Sequence, residues 1–192
     1  MRILYVLFAF LLSGCAGVSV DKEQSLILKS YGYEKNHQQS QKTLQIVKPK
    51  TPLYLNSKEI LYVEDGLSRA YAYHFWADLP SNFYRFVLLD KLEKSTLFSA
   101  VVEKSTFTRV DLALQSRIES FEQVMTKEGS FAKLGFSVTL FDVKEQKILA
   151  NRHFEKFIEL ENSQISTLVL GFEKGLNELC DDIILWLSEQ LK

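Results

Sequence analysis

The sequence has little of what marks a catalytic or nucleic-acid-binding chain. Two cysteines, Cys15 and Cys180, are too few for a disulfide framework or a thiolate metal centre. Three prolines and eight glycines leave no collagen-like or low-complexity segment, and no unit recurs at a fixed period. With 23 basic against 24 acidic residues there is no basic field to hold nucleic acid, and no block of like charges forms a tail. Also missing are a Gly-x-Ser-x-Gly elbow, a phosphate-cradling glycine loop and a His-Glu-x-x-His pair. The histidines His37, His74 and His153 fall in a loop, at a strand end and in a strand. No spacing joins them, so they read as surface or locally bonded residues. Asp181 and Asp182 are adjacent on a helix and do not share a face, which argues against a carboxylate pair. The expectation is a chain with no catalytic residue, no metal and no cofactor.

Long apolar runs are lacking too. The run from Ile3 to Leu12 has ten residues, which as a helix rise roughly 15 Å, about half of a bilayer's hydrocarbon core. It follows Met1-Arg2 and closes on Leu12-Ser13-Gly14-Cys15. A charged start, a short apolar stretch and a small-residue exit describe a secretory signal that is removed from the mature protein. The order Leu-Ser-Gly-Cys resembles the bacterial lipobox, in which the cysteine thiol takes a diacylglycerol and becomes the first mature residue. On this reading residues 1–14 are a lipoprotein signal peptide. Cys15 is the lipidation site and carries three acyl chains, palmitate among them, enough for stable anchoring.

Removing residues 1–14 leaves 178 residues with 22 basic against 24 acidic side chains, enough chain for one ordinary domain. Apolar residues at 46% and aromatic residues at 12% place it among folded globular proteins. Residues 15–25 read as lipidated terminus and tether, and residues 26–192 as a single domain. With Cys15 acylated, Cys180 has no intrachain partner. It lies on the apolar stripe of a predicted helix and is expected to be buried and inert.

Leu26–Tyr33 suggests a first short strand, and the polar stretch Asn36–Lys42 a loop. Thr43–Val47 reads as a strand that Pro49 and Pro52 place at an edge or bring to an end. Asp65-Gly66, set between two β-prone runs, predicts a tight hairpin of Lys58–Glu64 with Leu67–His74. A helix is expected to about Ser95, with Asp78 as N-cap and Pro80 in the first turn. Its apolar side would be Leu79, Phe83, Phe86, Val87, Leu89 and Leu92. A short strand around Val101 follows.

Val110–Ser120 and Ala132–Leu140 then alternate apolar and polar residues, the pattern of antiparallel strands with one wet face. Ile148–Leu160 is a third strand with poorer alternation. From about Ser163 the period becomes helical, with Ile165, Leu168, Phe172, Leu176, Leu179, Ile183 and Leu187 on one stripe. The fold class is α+β: a two-layer sandwich of a mostly antiparallel sheet covered on one face by two helices. The aromatic residues of the hairpin are ambiguous. Trp76 reads as core. Tyr62, Tyr71 and Tyr73 suit either a half-buried hairpin or an interaction surface facing protein or lipid.

Pro52-Leu53-Tyr54-Leu55, the run from Tyr73 through Phe75-Trp76-Ala77 to Pro80, Leu97-Phe98 and Asn151-Arg152-His153-Phe154 resemble, in that order, the ABC-type transport auxiliary lipoproteins, the PqiC-like group. The glutamine-rich Asn36–Lys42 loop stands where that family commonly has a proline-rich segment. The resemblance implies a non-catalytic lipoprotein of the outer membrane facing the periplasm. It would be an accessory to systems that pair an ABC ATPase and permease with a mammalian-cell-entry (MCE) domain protein and move phospholipid or other apolar molecules. The implied partners are the membrane through Cys15 and the periplasmic MCE protein, with phospholipid or further copies of the chain as additional candidates and nucleic acid not among them. Ala16 after the cysteine fits outer-membrane sorting. Two other readings compete: a stand-alone lipoprotein binding a small apolar ligand, and a structural envelope lipoprotein.

Overall fold

The computed structural model describes residues 23–33, 38–103, 109–162 and 164–191. The strands are Gln24–Leu26 (β1), Thr43–Ile46 (β2), Glu59–Glu64 (β3), Leu67–Trp76 (β4), Ala100–Val102 (β5), Leu112–Met125 (β6), Ser130–Asp142 (β7) and Lys147–Glu159 (β8). The helices are Pro80–Ser95 (α1) and Ile165–Gln190 (α2), and a single 3-10 turn spans Leu53–Leu55. The proposed signal, Cys15, most of the tether and His37 lie outside the described residues.

β6 is the spine of one mixed sheet. β7 runs antiparallel along its whole length and β8 continues antiparallel beyond. The other side of β6 is shared. β2 pairs in parallel with its start and β3 in parallel with its end, with β5 outside β2, and β4 then β1 outside β3. The long ladders are antiparallel and both helices pack on one side, as expected for the two-layer α+β class.

The alternation in the sequence sets which face is covered. Leu112, Leu114 and Ile118 of β6, and Ala132, Leu134, Phe136, Val138 and Leu140 of β7, are all buried beneath the helices. Trp76 is core, as expected. Its ring meets Phe83 of α1, Phe121 of β6 and Phe172 of α2 at centroid distances of 6.1, 5.7 and 5.2 Å, so one side chain joins both layers. Full burial of such a ring is worth about 2–3 kcal/mol over exposure. Gly171 and Gly175 let α2 sit close to the sheet: a Cβ at Gly175 would lie 2.6 Å from Leu134 Cδ1, and one at Gly171 would collide with Leu160.

The hairpin forms as read. Asp65 and Gly66 both take positive φ, 49° and 75°, which the two-residue turn requires. Its far half is irregular. Leu61 faces Ala70 and Glu59 faces Phe75, so two steps along β3 span five along β4.

Four local expectations are corrected. The first strand is Gln24–Leu26, so the tether gives its last residues to the sheet, and residues 27–33 form a strap outside any strand. The strap's main chain is bonded by side chains of α2 instead of a ladder. β2 lies between β5 and β6 and is not an edge, although Pro49 does stand beyond its end. Leu79, not Asp78, caps α1, because the residue before a proline is forced into the extended region (ψ 143°). Asp78 instead accepts from the Leu79 N–H and the Asn82 side chain. Finally, α1 buries Tyr84, Leu88 and Lys91 beside Phe83, Val87 and Leu92, whereas Phe86 points to solvent.

Candidate functional site

Of the three hairpin tyrosines, the structure brings two together. Because β3 and β4 are antiparallel neighbours, the rings of Tyr62 and Tyr71 meet edge-on at 5.3 Å, and Tyr71 meets His74 at 6.2 Å. Tyr71 donates its hydroxyl to Gln123 Oε1 (2.5 Å), and the buried Gln123 amide donates onward to Ser130 Oγ (2.6 Å). Burial pushes the Tyr71 phenol above its ordinary range. Tyr73 stands outside this ring series with 47% of its surface exposed, and Leu67 at the turn is 56% exposed. The surface of β4 from Leu67 to Tyr73 is exposed apart from Tyr71, and among the described residues β1 borders only His74 to Trp76.

On the uncovered face of the sheet, a charged row crosses three strands. Register places Arg117 beside Ser137 and Ser137 beside His153. Glu119 gathers all three: Oε1 accepts from Ser137 Oγ (2.5 Å) and Arg117 (2.6 Å), and Oε2 lies 2.9 Å from His153 Nδ1. Those hydrogen bonds, led by Ser137 and then Arg117, hold the Glu119 carboxyl below its usual range, helped by His153 beside it and opposed by partial burial. The set has the residue types of a hydrolase triad but not its wiring. Ser137 donates its hydrogen bond to Glu119 and not to His153, so no imidazole faces the hydroxyl as it would in such a triad. His153 is locally bonded, as expected. Spacing in the sequence carries no trace of this row, which depends on three-strand register.

A second cluster lies between the strap and the helices. Glu173, Asn177 and Asp181 succeed one another at one-turn intervals along α2, and the first two are buried. Asn177 holds the strap as a neighbouring strand would: it accepts from the Tyr31 N–H and donates to the Lys29 carbonyl, each at 2.8 Å. Glu173 accepts from the Lys29 N–H (2.9 Å) and the Tyr31 hydroxyl (3.0 Å). Lys91 donates to the Gly32 carbonyl (2.6 Å) and pairs with Asp181 (2.7 Å). Asp181 is thus turned to α1 while Asp182 pairs with Lys156 of β8 (2.8 Å), so the two adjacent carboxylates face apart. The polar line 173–177–181 beside an apolar stripe is the one signal that could have revealed the cluster from sequence.

Cys180 is fully buried, and burial raises its thiol well above the ordinary range. Among the described residues no group of His, Cys, Asp and Glu could hold a metal, and no helix is long and apolar enough to cross a membrane. An apolar groove of about 420 Å³ lies between Ile27, Phe83, Phe86 and Leu89, rimmed by Asp78, Arg85 and Glu103.

A family model described as ABC-type transport auxiliary lipoprotein component matches residues 29–184. No curated protein matches the chain. Among solved structures, a Xanthomonas campestris protein of family DUF330 is 18% identical with a TM-score of 0.81, covering 87% of this chain and 95% of that one. A hypothetical protein of Chlamydia trachomatis is 6% identical with a TM-score of 0.57, covering 79% and 98%. At these identities the structural likeness speaks for the fold alone.

Proposed function

The chain belongs to the ABC-type transport auxiliary lipoprotein family, and on that premise we propose that it is a non-catalytic lipoprotein of the outer membrane. In this reading Cys15 carries the acyl anchor, the folded part faces the periplasm, and the protein docks the periplasmic MCE-domain component of an ABC transport system that moves phospholipid or other apolar molecules. The observation that carries the reading is the extent of the family match, from the strap to the last turns of α2. The lipobox order Leu12-Ser13-Gly14-Cys15 and the outer-membrane-type Ala16 support the anchor and its destination. The wiring of Glu119 supports an adaptor over an enzyme, since its serine and histidine are both committed to the carboxylate.

The test is affinity capture of the full-length protein from detergent-solubilised membranes of its own cells. Recovery of an MCE-domain protein with its permease and ATPase is the expected result. Recovery of the anchored protein with none of these overturns the transport role. Cys15→Ala tests the anchor separately: the variant is expected in the soluble periplasmic fraction, and outer-membrane fractionation without an acyl group would overturn that part.

A further inference from the structure

We propose that the tip of the β3–β4 hairpin, with Leu67 leading, Tyr62 next, and Tyr71 and Tyr73 farther from the turn, rests in the phospholipid headgroup layer of the membrane that holds Cys15. This rests on the anchor reading above and adds the orientation of the domain. The direction comes from β1. It runs parallel to β4, with Gln24 opposite His74 and Leu26 opposite Trp76, so the chain enters β1 from the side of the hairpin tip. The distance comes from counting residues. Register sets Phe75 opposite Glu59, five positions along β3 from Glu64 at the turn, about 17 Å at strand rise. Cys15 lies nine positions before Gln24, a reach of at most about 31 Å. A tether drawn straight along β4 therefore passes the tip by about 14 Å, and one that keeps this direction but coils to about 15–18 Å, the span of a flexible chain of nine residues, sets the tip level with the bilayer surface.

The chemistry of the tip suits that depth. Tyrosine, with an apolar ring and a polar end, is the side chain enriched at membrane–water interfaces, and Leu67 adds one apolar contact at the turn. The tip carries one net charge: Arg69 pairs with Glu64 at 2.9 Å, and Asp65 at the turn stays with headgroups and water. The outer edge of β4 from Leu67 to Tyr73 has no strand partner among the described residues. Unpaired N–H and C=O groups cannot enter hydrocarbon but are satisfied by headgroups and water. The tip is accordingly an interfacial contact and not an inserted one.

The experiment uses full-length acylated protein in phosphatidylethanolamine–phosphatidylglycerol vesicles containing nitroxide-headgroup lipid. Leu67→Cys carries an environment-sensitive fluorophore, and Val143→Cys, on the turn between β7 and β8 at the opposite end of the sheet, is the reference. Buried Cys180 takes no label in the folded protein. Loss of Leu67 fluorescence to the nitroxide, with Val143 unaffected, is the expected result. Equal quenching at both sites, or at neither in a vesicle-bound protein, overturns the orientation. Quenching that disappears when the captured transport partner is added shows the tip to be a protein contact and overturns the lipid assignment. Failure of both labelled proteins to float with vesicles overturns the anchor reading instead.

Discussion

Lys91 and Asp181 form an ion pair at 2.7 Å in which the cation is 2% exposed and the anion 39%. The two halves of such a pair are not equivalent. Removing the carboxylate leaves a buried ammonium with the Gly32 carbonyl and the Tyr33 ring 6.0 Å away but no counter-charge, whereas removing the ammonium leaves an acid that still sees water. Asp181→Ala is expected to lower stability by about 2–3 kcal/mol, and Lys91→Met, which keeps the volume, by only about 1 kcal/mol. Urea unfolding of the two variants gives the comparison, and an equal or reversed order contradicts it.

Asn177 bonds the main chain of the strap at two points, beside the apolar anchor of buried Leu28. Asn177→Ala removes the acceptor for Tyr31 and the donor for Lys29 at once. The expected outcome is faster amide hydrogen exchange at Tyr31, with little change in the β6–β7 ladder, because the strap then opens as a local unit.

At Gly175 two effects oppose each other. Alanine raises helix propensity by about 1 kcal/mol, but its methyl would sit 2.6 Å from Leu134 Cδ1 and 3.1 Å from Ile158 Cγ1. Overpacking of this kind costs about 1–3 kcal/mol, so Gly175→Ala is expected to be net destabilising. A raised melting temperature would show that α2 can lift from the sheet without penalty.

Glu119 gives the fold a pH dependence of known sign. Its carboxyl is held below the ordinary glutamate value of 4.5 in the folded state by Ser137 and Arg117. The stabilisation is therefore present above that value and is lost as pH falls through the lower folded value. Glu119→Gln is expected to flatten this part of the stability–pH curve, leaving the wild type and variant closest at the acid end.

Thiol counting reads Cys180 and Cys15 together. Buried and held protonated, Cys180 is expected to be silent to a thiol reagent in the native protein and to react once on denaturation. A second equivalent from denatured, membrane-derived protein would mean that Cys15 is not acylated.

What the sequence made visible was what repeats locally. The even positions of β7 from Ala132 to Leu140 are all apolar and all buried, and Asp65-Gly66 has no easier conformation than the turn it forms. Lys91 was invisible because a charged residue at a helix position reads as solvent-facing until its partner, ninety residues away, is known. Glu173 and Asn177 left only a polar line beside the apolar stripe, because their partners, the main chain of the strap and the Tyr31 hydroxyl, lie in a segment that reads as a strand. The Glu119 row needed the register of three strands, which alternation does not specify. Tyr62 and Tyr71 could be placed together only once the hairpin register was fixed, and the extra residues of β4 separate Tyr73 from them.

The parallel pairing of β1 with β4 also determines how the domain bears load. A pull on Glu23 acts lengthwise along β1, so its bonds to β4 are sheared together rather than unzipped singly. Behind β1 stands the strap, clamped to α2 by Glu173 and Asn177 and to α1 through Lys91. Tension from the membrane is thereby passed into the two helices, and the long β6–β7–β8 ladder lies off the line of force.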